Sequence, residues 1–354
     1  MTAIECLQGK LVAGEGYLVI TPVNRRYLTG FPSSLGYLII SREASVLFLD
    51  GRYYEAGSKA VPASIQVEQT RKLSEQLAAA AGRMKIQKVY TETEISVREL
   101  EGLRRLLPNL QVEAWEDLTA TLESIRSVKS AGEADCIRRA QPMAEAALEE
   151  VLGLIQPGIT ESQIALELDY RMRKKGAEDT AFDTIAVTGP KSALPHGVPG
   201  DVQVQKGDFI VMDFGAVYGG YRSDMTRTVA VGYATDEMKK VYETVLAAQA
   251  AVLEVLRPGL PCAEGDRAAR EVIEKAGYGE YFNHSTGHGV GLEIHEYPNL
   301  TSRGEAVLEA GQIVTVEPGI YLPSRFGVRI EDMVWLTPGG CENLTAAPKA
   351  LTIL

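Results

Sequence analysis

FIVMDFGAVYGGYRSDMTRT at 209–228 and TVEPGIYLPSRFGVRIEDM at 315–333 decide how this chain reads. Each runs apolar and β-rich into a turn and returns, which is the pattern of a hairpin. In the first, Asp213 and Asp224 flank a turn at 218–220, and their midpoint, 218.5, falls within it. The two side chains are therefore expected near each other across the ladder. In the second, Glu317 and Glu331 flank a turn around Pro323 and Ser324, with their midpoint at 324. Asp213 sits in a strongly apolar strand, where an unpaired carboxylate is expensive to bury. Paired acids at matching positions imply an internal two-fold construction, although the two stretches share negligible identity.

A single acid in a strand is ordinarily solvated or paired with an arginine, and Arg222, Arg227 or Arg329 could serve. Four acids packed together repel unless cations neutralise them. Of the four histidines, three occupy Gly- or Pro-punctuated segments: His196 in ALPHGVPG, His288 in STGHGVG and His295 in EIHEYP. His284, in FNHSTG, lacks such a setting and is expected to be structural or exposed. The glycines around His288 let the backbone approach a metal or substrate closely. HEYPN at 295–299 is no zincin motif, because Asn299 stands where the second histidine belongs and Pro298 breaks the helix. There is no GxSxG elbow or GxxxxGK[ST] loop, and GHGVG has Leu292 in place of the third glycine of a dinucleotide fingerprint. One histidine with four carboxylates is a hard, oxygen-rich donor set suited to two Mn²⁺, Fe²⁺ or Co²⁺ ions. Two such ions about 3.5–4 Å apart hold a bridging hydroxide and polarise a carbonyl, which is hydrolytic chemistry.

The rest of the chain frames this site. Its 354 residues exceed the roughly 250–300 at which single cores stop growing, so two domains are expected. Strands at 17–20, 37–40, 46–49, 65–68 and 88–91 alternate with helices at 71–84 and 96–107, an α/β layer without a motif tied to chemistry. VKSAGE at 128–133 marks the boundary, giving domains 1–128 and 129–354. A helical pattern follows, with Pro142 expected to kink or restart it. Another helix opens at Thr160, capped with Gln163, and runs to about 175. Helices at 236–256 and 263–276 and strands at 209–215, 222–231, 313–320 and 329–336 make this half α+β.

Basic and acidic residues balance at 15 each through 128, so the net charge of −11 lies wholly in the second domain. Without a basic patch, nucleic acid is not an expected partner. No secretory signal and no apolar run of about 20 residues is visible, so a cytoplasmic protein without a membrane span is expected. The four scattered cysteines form no CxxC pair and read as reduced thiols.

FDTIAVTGPKSALPHGVPG, VMDFGAVYGGYRSDMTRT, TGHGVGLEIHE, VTVEPGIY and GVRIEDM, in this order and spacing, resemble the pita-bread metallopeptidases, specifically the Xaa-Pro peptidases (prolidase and aminopeptidase P). YLTGF at 27–31 and FLDGRY at 48–53 resemble the small α/β domain that precedes the catalytic half in that family. The resemblance implies a pita-bread catalytic domain with pseudo-two-fold symmetry and two divalent ions, manganese first, with cobalt, iron or zinc as alternatives. It implies that Asp213 chelates one ion, Asp224 and Glu331 bridge both, and His288 and Glu317 complete the other. His196 and His295 match positions that contact substrate and steady the tetrahedral intermediate or shuttle protons, and Glu317 matches one that assists proton transfer. Arg329 matches a residue that holds an acid from behind. Short proline-containing peptides are the implied substrates and a homodimer the implied assembly. Many prolidases carry an arginine four residues after the second histidine, suited to a dipeptide carboxylate, whereas this chain has Asn299. Methionine aminopeptidase shares the donors but lacks the N-terminal domain. A catalytically silent binding module on the same fold is the reading from another class.

Overall fold

β-branched and aromatic runs form the strands of the N-terminal unit in the computed structural model, which describes residues 2–354 and divides after Arg126. Six strands lie in the spatial order Gln66–Gln69, Ser45–Leu49, Tyr37–Ile40, Glu15–Val19, Lys88–Thr91, Gln111–Ala114. The Glu15–Val19, Tyr37–Ile40 and Ser45–Leu49 strands pair antiparallel, and the flanking pairings are parallel. Both faces of the sheet are covered. Leu18, Ile39 and Phe48 pack with Leu77 and Leu103, while Val19, Leu38 and Leu47 pack with Leu7, Leu28 and Leu118. Burial on both faces explains why these strands read as continuous apolar runs rather than alternating ones. Ala3–Lys10, Pro22–Thr29 and Glu116–Ser127 are helices that the sequence reading did not include.

In the unit Ser127–Leu354, two helices followed by strands occur twice, with a short 3-10 turn after the first strand in one repeat (Gly189–Ala193) and before the strands in the other (Gly279–Tyr281). Ala131–Leu152 and Glu161–Lys174 cover one four-stranded sheet through Ala144, Leu148, Ile164 and Leu168 against Ile210, Met212 and Phe214. Asp236–Val255 and Cys262–Lys275 cover a five-stranded sheet through Val241, Val245 and Ile273 against Val314, Val316 and Val334. The capping box of Thr160 with Gln163 forms as expected. Ala131–Leu152 does not restart at Pro142, because its buried face, including Ala140, Ala144, Ala147 and Val151, runs past the proline.

The long strands expected at 222–231, 313–320 and 329–336 are interrupted. The first hairpin consists of Phe209–Phe214 paired with Met225–Ala230, and a tip of Val217–Tyr218 with Tyr221–Arg222. The second consists of Ile313–Val316 paired with Asp332–Thr337, and a tip of Gly319–Leu322 with Phe326–Arg329. Registers decide which acids face each other. Val316 opposes Asp332 and Gly319 opposes Arg329, which sets Glu317 across from Glu331 as the sequence midpoint requires. In the first hairpin Gly219 and Gly220, at φ 59° and 80°, form the turn. That centres the hairpin one residue later than expected, and Asp213 faces Thr226 rather than Asp224.

Behind these hairpins Arg227 is buried with Asp332 at 2.8 Å, their side chains 3% and 0% exposed. It also donates to the carbonyls of Thr226, Glu331, Ala347 and Pro348. R227M leaves these acceptors without their donor and is expected to cost about 3–5 kcal/mol, read as a lowered urea midpoint. R227K, lacking the planar fork, is expected to recover only part of this.

Candidate metal centre and substrate cavity

Three of the four hairpin acids sit where the strands break. Asp224 lies just before Met225–Ala230, Glu317 between Ile313–Val316 and Gly319–Leu322, and Glu331 between Phe326–Arg329 and Asp332–Thr337. The breaks remain anchored, since Glu317 N donates to Thr286 O at 2.8 Å and Glu331 N to Thr226 O at 3.1 Å. His288 stands in the middle of the short strand Gly287–Gly289. A Cβ on Gly287 would lie 2.0 Å from Thr315 O, and one on Gly289 would lie 2.5 Å from Tyr297 O. These glycines are therefore needed for the neighbouring chains to close on His288.

Donor atoms of Asp224, His288 and Glu331 lie within 4.8 Å of one another. His288 Nδ1 faces Gly289 O at 3.0 Å and must carry a proton there, which aims Nε2 at Glu317 Oε1 (3.2 Å) and Asp224 Oδ2 (3.6 Å). Asp213 Oδ2 accepts from Arg329 Nη2 at 2.6 Å, while its buried Oδ1 has no hydrogen-bond partner. The arginine pairing that could have explained a lone acid thus accounts for one oxygen and leaves the other buried without a partner. An orphaned carboxylate oxygen among hard oxygen donors and one imidazole fits a divalent cation.

Arg329 extends the network outward, donating to Thr226 Oγ1 (3.0 Å) and Tyr321 OH (2.8 Å), and Thr226 in turn donates to Glu331 Oε2 (2.7 Å). The cluster opens into a cavity of about 590 Å³ lined by Phe182, Ile185, Val198, His196, His295 and Asn299, among others. His196 and His295 are exposed at its wall, and the His295 ring lies 4.4 Å from that of His288.

Residues 135–338 match the description "Metallopeptidase family M24", and residues 13–128 match "Creatinase/Prolidase N-terminal domain". The chain belongs to metallopeptidase family M24. An Xaa-Pro dipeptidase of Pyrococcus horikoshii is 37% identical, over 95% of this chain and 94% of that protein. Among solved structures, an Xaa-Pro dipeptidase from Bacillus anthracis superposes with a TM-score of 0.94 at 38% identity, covering 99% of this chain and 98% of that one. An X-Pro aminopeptidase from Thermotoga maritima gives 0.90 at 36%, covering 98% and 100%.

The M24 cavity also contains His284, which was expected to be structural or exposed. Its Nδ1 faces Ser285 O (2.7 Å), so its Nε2 accepts from Tyr321 OH (2.9 Å), which itself accepts from Arg329. No local punctuation marks His284 in the sequence. Its spacing of four residues before His288 was the available signal.

Burial sets the electrostatics of this M24 site. It pushes Asp224 and Glu331 well above the ordinary carboxylate range, with the neighbouring acids adding to the rise, and it raises Asp213 against the pull of Arg329. Burial opposes charge on His288, but the hydrogen bond and charge of Glu317, with Asp224, raise it to about 9. Burial would also raise Glu317, yet the hydrogen bond and charge of His288, then His284 and Arg329, bring it down to about 2. His288 stabilises the fold fully below its ordinary 6.5, and that contribution is lost as pH rises through about 9. The raised acids lose theirs in the same direction. With chelator present, thermal unfolding is therefore expected to move to lower temperature between pH 6.5 and 9, and D224N to flatten the dependence.

Proposed function

We propose that this chain hydrolyses the bond between an N-terminal residue and proline, using two divalent ions held by Asp213, Asp224, His288, Glu317 and Glu331. The observation that carries the reading is the buried convergence of Asp224, His288 and Glu331, beside the unpartnered oxygen of Asp213, at the floor of the cavity. Manganese suits the donors first, with cobalt, iron and zinc as alternatives. When bound, such ions supply Lewis acidity toward a peptide carbonyl and a water nucleophile at neutral pH.

The chain's own residues do the rest. Burial, then His288, push His295 below its ordinary value, which favours the neutral ring that can donate or accept a hydrogen bond at the peptide. His196 faces the same space. Both are suited to steady the carbonyl oxygen and pass a proton toward the leaving nitrogen. Glu317, held at about 2, is better suited to ligation than to storing a proton. Arg329 fixes Asp213 and, through Thr226, Glu331. An Xaa-Pro bond offers no N–H, so its recognition falls to shape, and the apolar walls at Phe182, Ile185, Pro195 and Val198 can take the ring.

Substrate length has its own indication. Arg329 is the one arginine or lysine among the lining residues, and it is engaged by Asp213, while Asn299 is neutral. No dedicated cation therefore awaits a dipeptide carboxylate, and peptides longer than two residues are included in the proposal. It extends to a cytoplasmic homodimer, as the family resemblance implies.

Assay of Mn²⁺-loaded protein against Xaa-Pro, Xaa-Pro-Yaa and Xaa-Ala is expected to give cleavage of both proline peptides and little of the third. Turnover of Xaa-Ala alone would replace the proline reading with a broader aminopeptidase. D224N or E331Q is expected to lower turnover by at least about 100-fold together with metal content, measured by elemental analysis. Full turnover with metal retained would remove these residues from the donor set.

A further inference from the structure

Outside the donor set, four acids of the catalytic unit are buried among the described residues: Glu161, Asp266, Glu296 and Asp332. Asp332 stands behind Glu331 with Arg227. The other three lie apart in sequence, yet each grips the backbone of a segment carrying one cavity histidine, and each is paired with a basic residue.

Glu161, with a fully buried side chain, binds Lys191 Nζ at 2.6 Å. Its two oxygens accept from Thr188 N (2.9 Å) and Gly200 N (3.0 Å), the two ends of the loop that carries His196. Asp266 binds Arg270 Nε at 2.6 Å and accepts from Thr286 N and Oγ1 at 3.2 and 2.9 Å. Arg270 donates to Phe282 O (3.0 Å) and His284 O (2.6 Å), so this pair clamps the segment of His284. Glu296 binds Lys129 Nζ at 2.8 Å, their side chains 4% and 1% exposed, and its other oxygen accepts from Glu293 N at 3.1 Å. A Cβ on Gly291 would meet the same carboxylate at 2.3 Å, so the bend bearing His295 is folded directly onto it.

Buried ion pairs are weak sources of stability, because desolvation offsets most of the attraction. What they supply well is fixed geometry, since a misaligned buried charge is costly. Histidines on exposed loops need such geometry if they are to meet a substrate within a fraction of an ångström. We infer that Glu161–Lys191, Asp266–Arg270 and Glu296–Lys129 are positioning pairs, each setting the place of one cavity histidine: His196, His284 and His295 respectively. The catalytic consequence rests on the proposed peptidase reading, whereas the positioning itself does not.

The chain has only four histidines, so ¹³Cε1-histidine labelling gives a four-line spectrum in which each ring can be followed. Spectra of the diamagnetic Zn²⁺-loaded protein, repeated with chelator, are recorded for E161Q, D266N and E296Q. The largest displacement is expected on His196, His284 and His295 in turn, with kcat lowered roughly 10–100-fold, KM changed less and metal content kept. E150Q, at an exposed pair with Arg171 and Lys175, is expected to move none of them. If E296Q fails to fold, K129M/E296M removes both charges without leaving one unpaired and is expected to displace His295 all the same. Displacement spread equally over the four rings, or an unmoved target ring in a folded variant, would overturn the inference. A wild type that cleaves no Xaa-Pro peptide would overturn the proposed function instead and leave the spectral test intact.

Discussion

Like charges buried together are the constraint around which the catalytic unit is built. Asp224 and Glu331 lie in a space that strongly disfavours two ionised carboxylates, and Asp213 and Glu317 deepen the conflict. Relaxation by drifting apart is opposed because three of the four acids are anchored. Glu317 and Glu331 are tied through their amides at breaks in the strands, and Asp213 is held by Arg329. The site therefore keeps its electrostatic tension, and the orphaned oxygen of Asp213 marks where that tension is unrelieved. Such tension is what makes a cation favourable there.

Layers of support surround this conflict in a graded way. Nearest the acids are Arg329, Thr226 and Thr315, the last accepting from His288 N at 3.0 Å and donating to Glu317 at 3.1 Å. Behind them Arg227, paired with Asp332, donates to carbonyls from separate segments. Farther out are the apolar helix pairs, which hold each sheet flat against its own core. Polar precision lies inside and hydrophobic mass outside, so the energy that keeps the fold together is largely separate from the groups that set the site.

Much of this was legible in the residues. The Glu317–Glu331 facing followed from the hairpin midpoint alone, because a turn around Ser324 keeps that register symmetric. The same rule misjudged Asp213 and Asp224, because the turn sits squarely on Gly219 and Gly220 and shifts the pairing to Asp213 with Thr226. The strand interruptions fall at Ser223–Asp224, Glu317–Pro318 and Ile330–Glu331, where acids and a proline depart from the apolar runs beside them, so the signal was present although the runs were read through it. Pro142 suggested a break that tertiary packing carried through. His284 was missed because no glycine or proline adjoins it, and its contact with Tyr321, 37 residues away, is not local.

The repeated order of helices and strands has a further implication for how such a protein could arise. One repeat contributes Asp213 and Asp224, and the other contributes His288, Glu317 and Glu331. Neither repeat alone carries all five of the proposed donors. An ancestral chain half the length of the catalytic unit would complete such a site only by meeting a second copy of itself, each lending its hairpin across a symmetric contact. Fusion of two copies would turn that contact into an intramolecular one and free the halves to diverge, with an imidazole kept on one side only. On this view the catalytic unit is an old interface made permanent.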